Sequence, residues 1–390
     1  MNNSKQVTLS QRMKDILLYR AKGTMPVVHF GFWNETLTKW ADEGHLSHDL
    51  ANNWGDGNVA DAKISDALGF DGNYYSTFSP QTWLRPTFPR EVIKDFGDGS
   101  RHVLNSDGVV VLVSDGANSI PAEVDHTLQE RKDWDEKYLH RFNWADERLS
   151  NARVRSGHHF LKYNEGGLEH LQNPQREDWI GLHCGSLFGK IRDVLGVENS
   201  AYLLADDEDL FDEIIQTNAD LCYRAVEEAL KQDTIFDFAH FWEDICFKNG
   251  PLISPLVFEE KVGPHYRRIT DLCKSHGIEI ISVDCDGMID SLIPTWLDNG
   301  VNTMFPIEVG TWNASIAPWR KKYGQDIRGV GGMNKNVFAK DTQAIDIEVE
   351  RLRKLIDLGG YIPCPDHRIP PEAKWDLVRY YCDQIRNIQV

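Results

Sequence analysis

The sequence predicts an α/β protein: a (β/α)8 TIM barrel with an N-terminal helical extension and a hairpin-containing insertion near the barrel mouth. Three observations carry this. The 390 residues suffice for one large barrel without staples. Short apolar runs alternate with helical segments, and the runs are too apolar for a half-solvated sheet. There are eight such runs, the number that closes this kind of barrel. Residues 1–390 are therefore expected to form a single barrel domain, with 1–25 as the extension and 72–177 as the inserted excursion.

Residues 9–22 predict the opening helix, with Met13, Ile16, Leu17 and Leu18 interleaved with charge. PVVHFGF (26–32) predicts the first strand. ISDALGF (64–70) is the weaker second candidate and is also compatible with a helix. DWIGLHC (178–184), TIFDFAHF (234–241), IEIISV (278–283), VNTMFP (301–306), IRGVGG (327–332) and GGYIP (359–363) complete the set. Residues 209–232 predict a helix with an acidic first turn. Residues 254–277 predict one between Ser254 as N-cap and Gly277 just past its end. Residues 344–360 and 370–387 supply two more, the last with proline near its first turn. Between 72 and 177 the rhythm breaks, and FGDGSRHVLNSDGVVVLVSDG alternates with turn residues as antiparallel hairpins do.

Composition narrows the function. Lys and Arg total 42 against 60 Asp and Glu, a formal charge of −18. Bulk charge therefore opposes binding to nucleic acid or to anionic membrane. No run of about 18 or more apolar residues would span a bilayer. The seven cysteines form no CxxC pair, and no signal peptide opens the chain, so a reducing cytoplasm is the expected compartment.

In a barrel of this type, chemistry sits on the loops after the strands. Those positions hold His29, Trp33 and Glu35, then Tyr74, His183, His240, Trp242, Glu243 and Asp244. Further along come Asp284, Cys285, Asp286, Glu308, Cys364, Asp366 and His367. Asp284, Asp286 and His367 could form an O/O/N metal site suited to zinc or another first-row ion, with Cys285 and Cys364 as softer alternative ligands. The competing reading is that D-x-D caps the following helix. In PCPDHRIPP, prolines stiffen the backbone around His367, which suits a general acid/base, a ligand or a substrate contact. Glu243 could serve as a base or an anchor, or as a helix-start carboxylate. The tryptophans could stack on a flat substrate or cage a quaternary ammonium, or simply pack.

Several segments resemble the uroporphyrinogen decarboxylase superfamily: EDICFKNGPLISP (243–255), SVDCDGMIDSLIPTWLDNGVNTMFPIEV (282–309), RGVGGMNKN (328–336) and GGYIPCPDHRIPPEA (359–373), with PVVHFGFWNETLTKW (26–40) and GSLFGKIRDVLG (185–196). The resemblance implies a (β/α)8 barrel and either decarboxylation or corrinoid-dependent methyl transfer. Decarboxylases of the family carry an RxxGR segment after the first strand; HFGFWNETL has no arginine there. Thiol-directed methyltransferases carry His-x-Cys and a later Cys as zinc ligands, which align with Asp284-x-Asp286 and His367.

The resemblance therefore implies a methyltransferase closer to the corrinoid-dependent branch. Its donor would be an aryl methyl ether or a methylated amine, zinc would be the metal, and a partner protein would supply the corrinoid. His367, Asp284 and Glu243 would be catalytic. His29, Trp33, Glu35, His240, Trp242 and Tyr74 would shape the substrate pocket. The alternatives are decarboxylation of a small or tetrapyrrole acid and non-catalytic binding of a corrinoid or other tetrapyrrole.

Overall fold

A computed structural model describes residues 7–20, 23–115 and 121–390. Parts of the expected extension (1–6, 21–22) and of the insertion (116–120) lie outside the described residues. The helix Leu9–Leu17 opens at Thr8, whose side chain accepts from the Gln11 amide, and buries Met13, Ile16 and Leu17. Strand β1 is Val28–His29.

The second barrel strand comes in two pieces. β2 (Gly72–Asn73) pairs in parallel with β1, and β3 (Thr77–Phe78) pairs in parallel with the next barrel strand. ISDALGF is not a strand. It lies largely in the helix Val59–Leu68, capped by Asn58 at one end and by Gly69 at φ 94° at the other. The helical spacing of buried Ala60, Asp61, Ile64, Ser65 and Leu68 overrides its β-like composition.

The insertion contains a four-stranded antiparallel sheet in the order β4 (Glu91–Asp95), β5 (Ser100–Leu104), β6 (Val109–Ser114) and β7 (Ala122–His126). The hairpin β8 (Arg153–Ser156) and β9 (His159–Lys162) follows. The chain then returns to the barrel with β10 (Gly181–His183) and β11 (Phe238–Trp242). A small hairpin, β12 (Cys246–Phe247) and β13 (Gly250–Pro251), precedes β14 (Ile281–Asp284), β15 (Thr303–Phe305), β16 (Arg328–Met333) and β17 (Tyr361–Pro365). The main sheet runs β3-β10-β11-β14-β15-β16-β17, parallel throughout.

Just beyond β1 and β17, Phe32 and Ile369 form an isolated parallel bridge, with Ile369 N–H donating to the Gly31 carbonyl at 3.1 Å and Trp33 N–H to the Ile369 carbonyl at 3.2 Å. Eight parallel positions thus surround one interior. Helices Glu208–Leu230, Gly263–Ser275, Thr342–Ile356 and Trp375–Arg386 cover the outside. The last starts at Trp375, so Pro370 and Pro371 belong to the preceding loop rather than to its first turn. No described helix is long and apolar enough to cross a membrane.

Aromatic rings fill the barrel interior. Tyr74 stacks on Phe238 at 5.1 Å and lies 4.9 Å from Phe305, and Phe30 meets Phe305 edge-on at 4.6 Å. Such rings bury large apolar areas and hold their geometry.

Candidate active site at the barrel mouth

Asp284 ends β14. It is 3% exposed, and its carboxyl group makes no hydrogen bond among the described residues. Burial raises its pKa well above the carboxylate range, and repulsion from Asp286 and Asp244 adds to the shift. Asp244, after β11, is pushed up to about 6 by burial and then by Asp286. Glu308 is also raised, first by burial, although it accepts the Gly287 amide at 2.5 Å and the Thr311 hydroxyl at 2.7 Å.

Facing these groups, His367 Nε2 lies 3.3 Å from Asp286 Oδ2, while the other oxygen of Asp286 is buried without a partner. Trp33 stacks on the His367 ring at 5.7 Å, and Phe30 meets it edge-on at 5.4 Å. Beside them Arg368 forms a two-pronged pair with Asp56, at 2.6 and 3.2 Å. Asp366 braces the neighbouring loops by accepting from the Gly310 and Lys335 amides.

Several expected residues sit elsewhere. Glu243 is fully buried beneath the loop after β10. It accepts the amides of Leu187, Phe188 and Gly189 at 2.8, 2.9 and 2.7 Å, the Ser186 hydroxyl at 3.2 Å, and the Tyr266 hydroxyl. With its oxygens engaged by five donors, it holds the start of the helix Gly189–Leu195. Gly189 is required there, because a Cβ would fall 1.8 Å from the Glu243 carbonyl oxygen.

His29 is also internal. Its Nδ1 accepts from Gly31 N–H at 2.9 Å and its Nε2 meets Ser65 Oγ at 2.8 Å, so it pins the first strand rather than lining a pocket. His240 Nδ1 bonds Ser282 Oγ at 2.6 Å, with its ring among Tyr74, Tyr75 and Phe305. Tyr74 is wholly buried and its hydroxyl has no partner. Glu35 lies in the first turn of the helix Asn34–Asp42, half-buried.

Burial lowers both His29 and His240 to about 3. A histidine held neutral in this way favours the folded state above its unfolded pKa of ~6.5, and that contribution is lost as pH falls below it. Histidine Cε1 NMR shifts should therefore show that the His29 and His240 rings do not titrate between pH 8 and pH 5. A normal titration of either would contradict the buried assignment.

Cys285 and Cys364, the alternative zinc ligands, are both free and buried. Cys285 accepts the Ile245 amide at 3.4 Å and its thiol contacts the Asp286 carbonyl, so it faces the β12–β13 side. Cys364 is fully buried, and burial pushes its thiol up. Among the described residues, no three His, Cys, Asp or Glu side chains stand together as ligands for one ion. Zinc sites use three or four protein ligands. Of the expected Asp284, Asp286 and His367 ligands, Asp286 and His367 are in contact, at 3.3 Å, and the described residues bring no third one to them.

A cavity of about 360 Å³ is lined by Tyr75, Thr82, Trp83, His183, Ser186, Lys190 and Trp242. Trp242, one of the expected substrate-binding residues, is thus in its wall. The Tyr75 ring lies 5.5 Å from Phe30, and burial, then the Asp284 charge, pushes its hydroxyl up. Arg148 fixes the cavity rim. Its guanidinium is buried and donates to the carbonyls of Gln81, Trp83, Arg141 and Asn143. Sequence reasoning missed Arg148 and Lys190, because neither follows a strand directly.

A parallel barrel with carboxyls, an imidazole and a ring-lined cavity at the strand ends defines an enzyme-type scaffold of the (β/α)8 class. The family model for uroporphyrinogen decarboxylase (URO-D) matches residues 188–388, just over half of the chain. The chain belongs to the uroporphyrinogen decarboxylase family.

Among solved structures, a methyltransferase from Methanosarcina mazei aligns with a TM-score of 0.56 at 12% identity, covering 97% of this chain and 98% of that one. A protein described as a vitamin-B12-independent methionine synthase from Listeria monocytogenes aligns with a TM-score of 0.42 at 11% identity, covering 94% and 98%. No curated protein matches the sequence.

Proposed function

We propose that the protein is a methyltransferase, moving a methyl group between a small methylated compound and a corrinoid held by a partner protein. The donor would be an aryl methyl ether or a methylated amine. Family membership and the whole-length fold likeness to a methyltransferase support this reading. So does the scarcity of counter-charge for a polycarboxylate: Arg368 is already paired with Asp56.

The observation that carries the mechanism is Asp284, a buried carboxyl without a hydrogen bond, next to the Asp286–His367 pair. A phenolate or amine leaves poorly without a proton or a Lewis acid. A carboxyl whose protonated form is favoured by burial and like-charge neighbours is suited to be such a proton source. When bound, the corrinoid supplies the electron pair that takes the methyl carbon. Asp284 then gives its proton to the departing oxygen or nitrogen, which keeps the electrons of the broken bond. His367, held by Asp286 and stacked on Trp33, orients that atom.

The test pairs turnover with metal analysis. Protein purified without chelator should hold well below one zinc per chain. His367→Gln should lower turnover by roughly 10–100-fold, the range for losing an orienting partner, without changing metal content. Stoichiometric zinc that disappears in an Asp286→Ala/His367→Ala double variant would overturn acid activation in favour of a metal. Product formation from a carboxylic acid without corrinoid would replace methyl transfer with decarboxylation.

A further inference from the structure

The four-stranded sheet of the insertion ends at β4, and residues 89–98 around that strand are exposed without a break. Among the described residues, β4 pairs only with β5, so its other side keeps unpaired main-chain groups. Val92 and Ile93, at its centre, are 55% and 52% exposed. An edge of this kind is a template for another strand, and charged side chains normally block it. Here the sequence from 90 to 95 is R-E-V-I-K-D. Among the described residues, none of its four charges makes an ion pair within the chain. Arg101, opposite Asp95, pairs with Asp115 instead, and the Lys94 ammonium lies over the Phe96 ring at 4.6 Å.

Set antiparallel to itself, this hexapeptide is complementary. Arg90 meets Asp95, Glu91 meets Lys94 and Val92 meets Ile93, each pair repeated by a two-fold axis. A regular strand could not use this register. Residues an odd number apart point to opposite faces, whereas directly opposed side chains share a face. The bulge between Val92 and Lys94 removes that obstacle. Glu91 opposes Leu104 and Lys94 opposes His102, two positions apart on β5, so both point to the outer face. Val92 opposes Val103 and Asp95 opposes Arg101, so both point inward, toward the cavity that Arg90 and Val103 line with Lys190, Trp242 and Asp244. One extra residue thus puts each opposite-charge pair on a common face. Two strands with the same bulge are also equal in length across the axis. The other edge, β7, reads A-E-V-D-H and has no such match; its Glu123 already faces His126 at 3.7 Å.

We infer that β4 pairs with β4 of a second copy of this chain, antiparallel about a two-fold axis, in the register that joins Arg90 to Asp95 and Glu91 to Lys94. The two insertion sheets become one continuous sheet, and each copy brings its Asp95 to the Arg90 at the rim of the other's cavity. Main-chain bonds and exposed ion pairs hold a small interface, so the dimer is reversible in the micromolar range and weakens with salt.

Sedimentation equilibrium of the full chain across micromolar concentrations is the test. The wild type should approach the mass of two chains, and added salt should lower it. Glu91→Lys sets like charges opposite each other and should weaken association by roughly ten-fold or more. Glu91→Lys/Lys94→Glu restores opposite charges at the same positions and should recover it. Urea midpoints of both variants should match the wild type, because these side chains are exposed. A monomeric wild type, a dimer unchanged in Glu91→Lys, or a double variant as weak as the single one would each overturn the pairing.

Discussion

Asp284→Asn is expected to remove methyl transfer and stabilise the protein at the same time. Loss of a positioned proton donor lowers turnover by roughly 10²–10⁴-fold. The stability gain has a separate cause. Folding raises the Asp284 pKa, first by burial and then through Asp286 and Asp244. A carboxyl whose folded pKa exceeds its unfolded value of ~3.9 costs stability as pH rises through that interval. The amide carries no such cost, so the gain is present at pH 7 and vanishes near pH 3. About 1 kcal/mol is the scale for relieving one strained active-site group. Urea midpoints at pH 7 and pH 4, taken beside turnover, read both effects. A variant that is less stable at pH 7, or that retains turnover, would remove Asp284 from the acid role.

Glu243→Ala is expected to cause the largest stability loss of any single mouth-proximal substitution, about 3 kcal/mol or more. It would leave three amides and two hydroxyls without the acceptor they now share. The consequence reaches the cavity, because those amides begin the helix that carries Lys190. Hydrogen exchange should show lost protection centred on residues 187–195, together with a lower urea midpoint. Normal protection there, with loss of activity alone, would restore the catalytic reading of this residue.

Much of the barrel was legible because strand–helix alternation and apolar runs are local signals. Seven of the eight strand candidates contain or overlap a barrel strand. The exception was ISDALGF, where composition suggested a strand while helical spacing and the Asn58 and Gly69 caps decided otherwise. The second strand was hidden because its halves are two residues each, too short for any periodic signal.

The site was harder to read. Position after a strand places a residue near the mouth, but the direction of its side chain depends on a two-residue period that a one-residue register error reverses. Asp284 and His367 come to the mouth, whereas Glu243 and His29 turn into the packing. Cys285 shows the same effect within one motif, facing the neighbouring hairpin between two aspartates. Lys190 gave no signal because its placement depends on a helix start fixed by Glu243, 53 positions away in sequence.

The divided second strand bears on how the pocket can diversify. Its first half is bonded to β1 and its second half to β10, with Tyr74 and Tyr75 in the gap; on the other side, the segments just past β1 and β17 share the Phe32–Ile369 bridge. The strand ladders thus form two arcs, one long and one short, and the described residues show no ladder pairing at either joint between them. Phe30 and Tyr75 stand at the first joint, with Phe30 reaching His367 across the second. Aperture at this end is set by the bulk of a few rings rather than by ladder geometry. Substitutions at Phe30 and Tyr75 should therefore retune the size of accepted ligand while the long arc keeps its form.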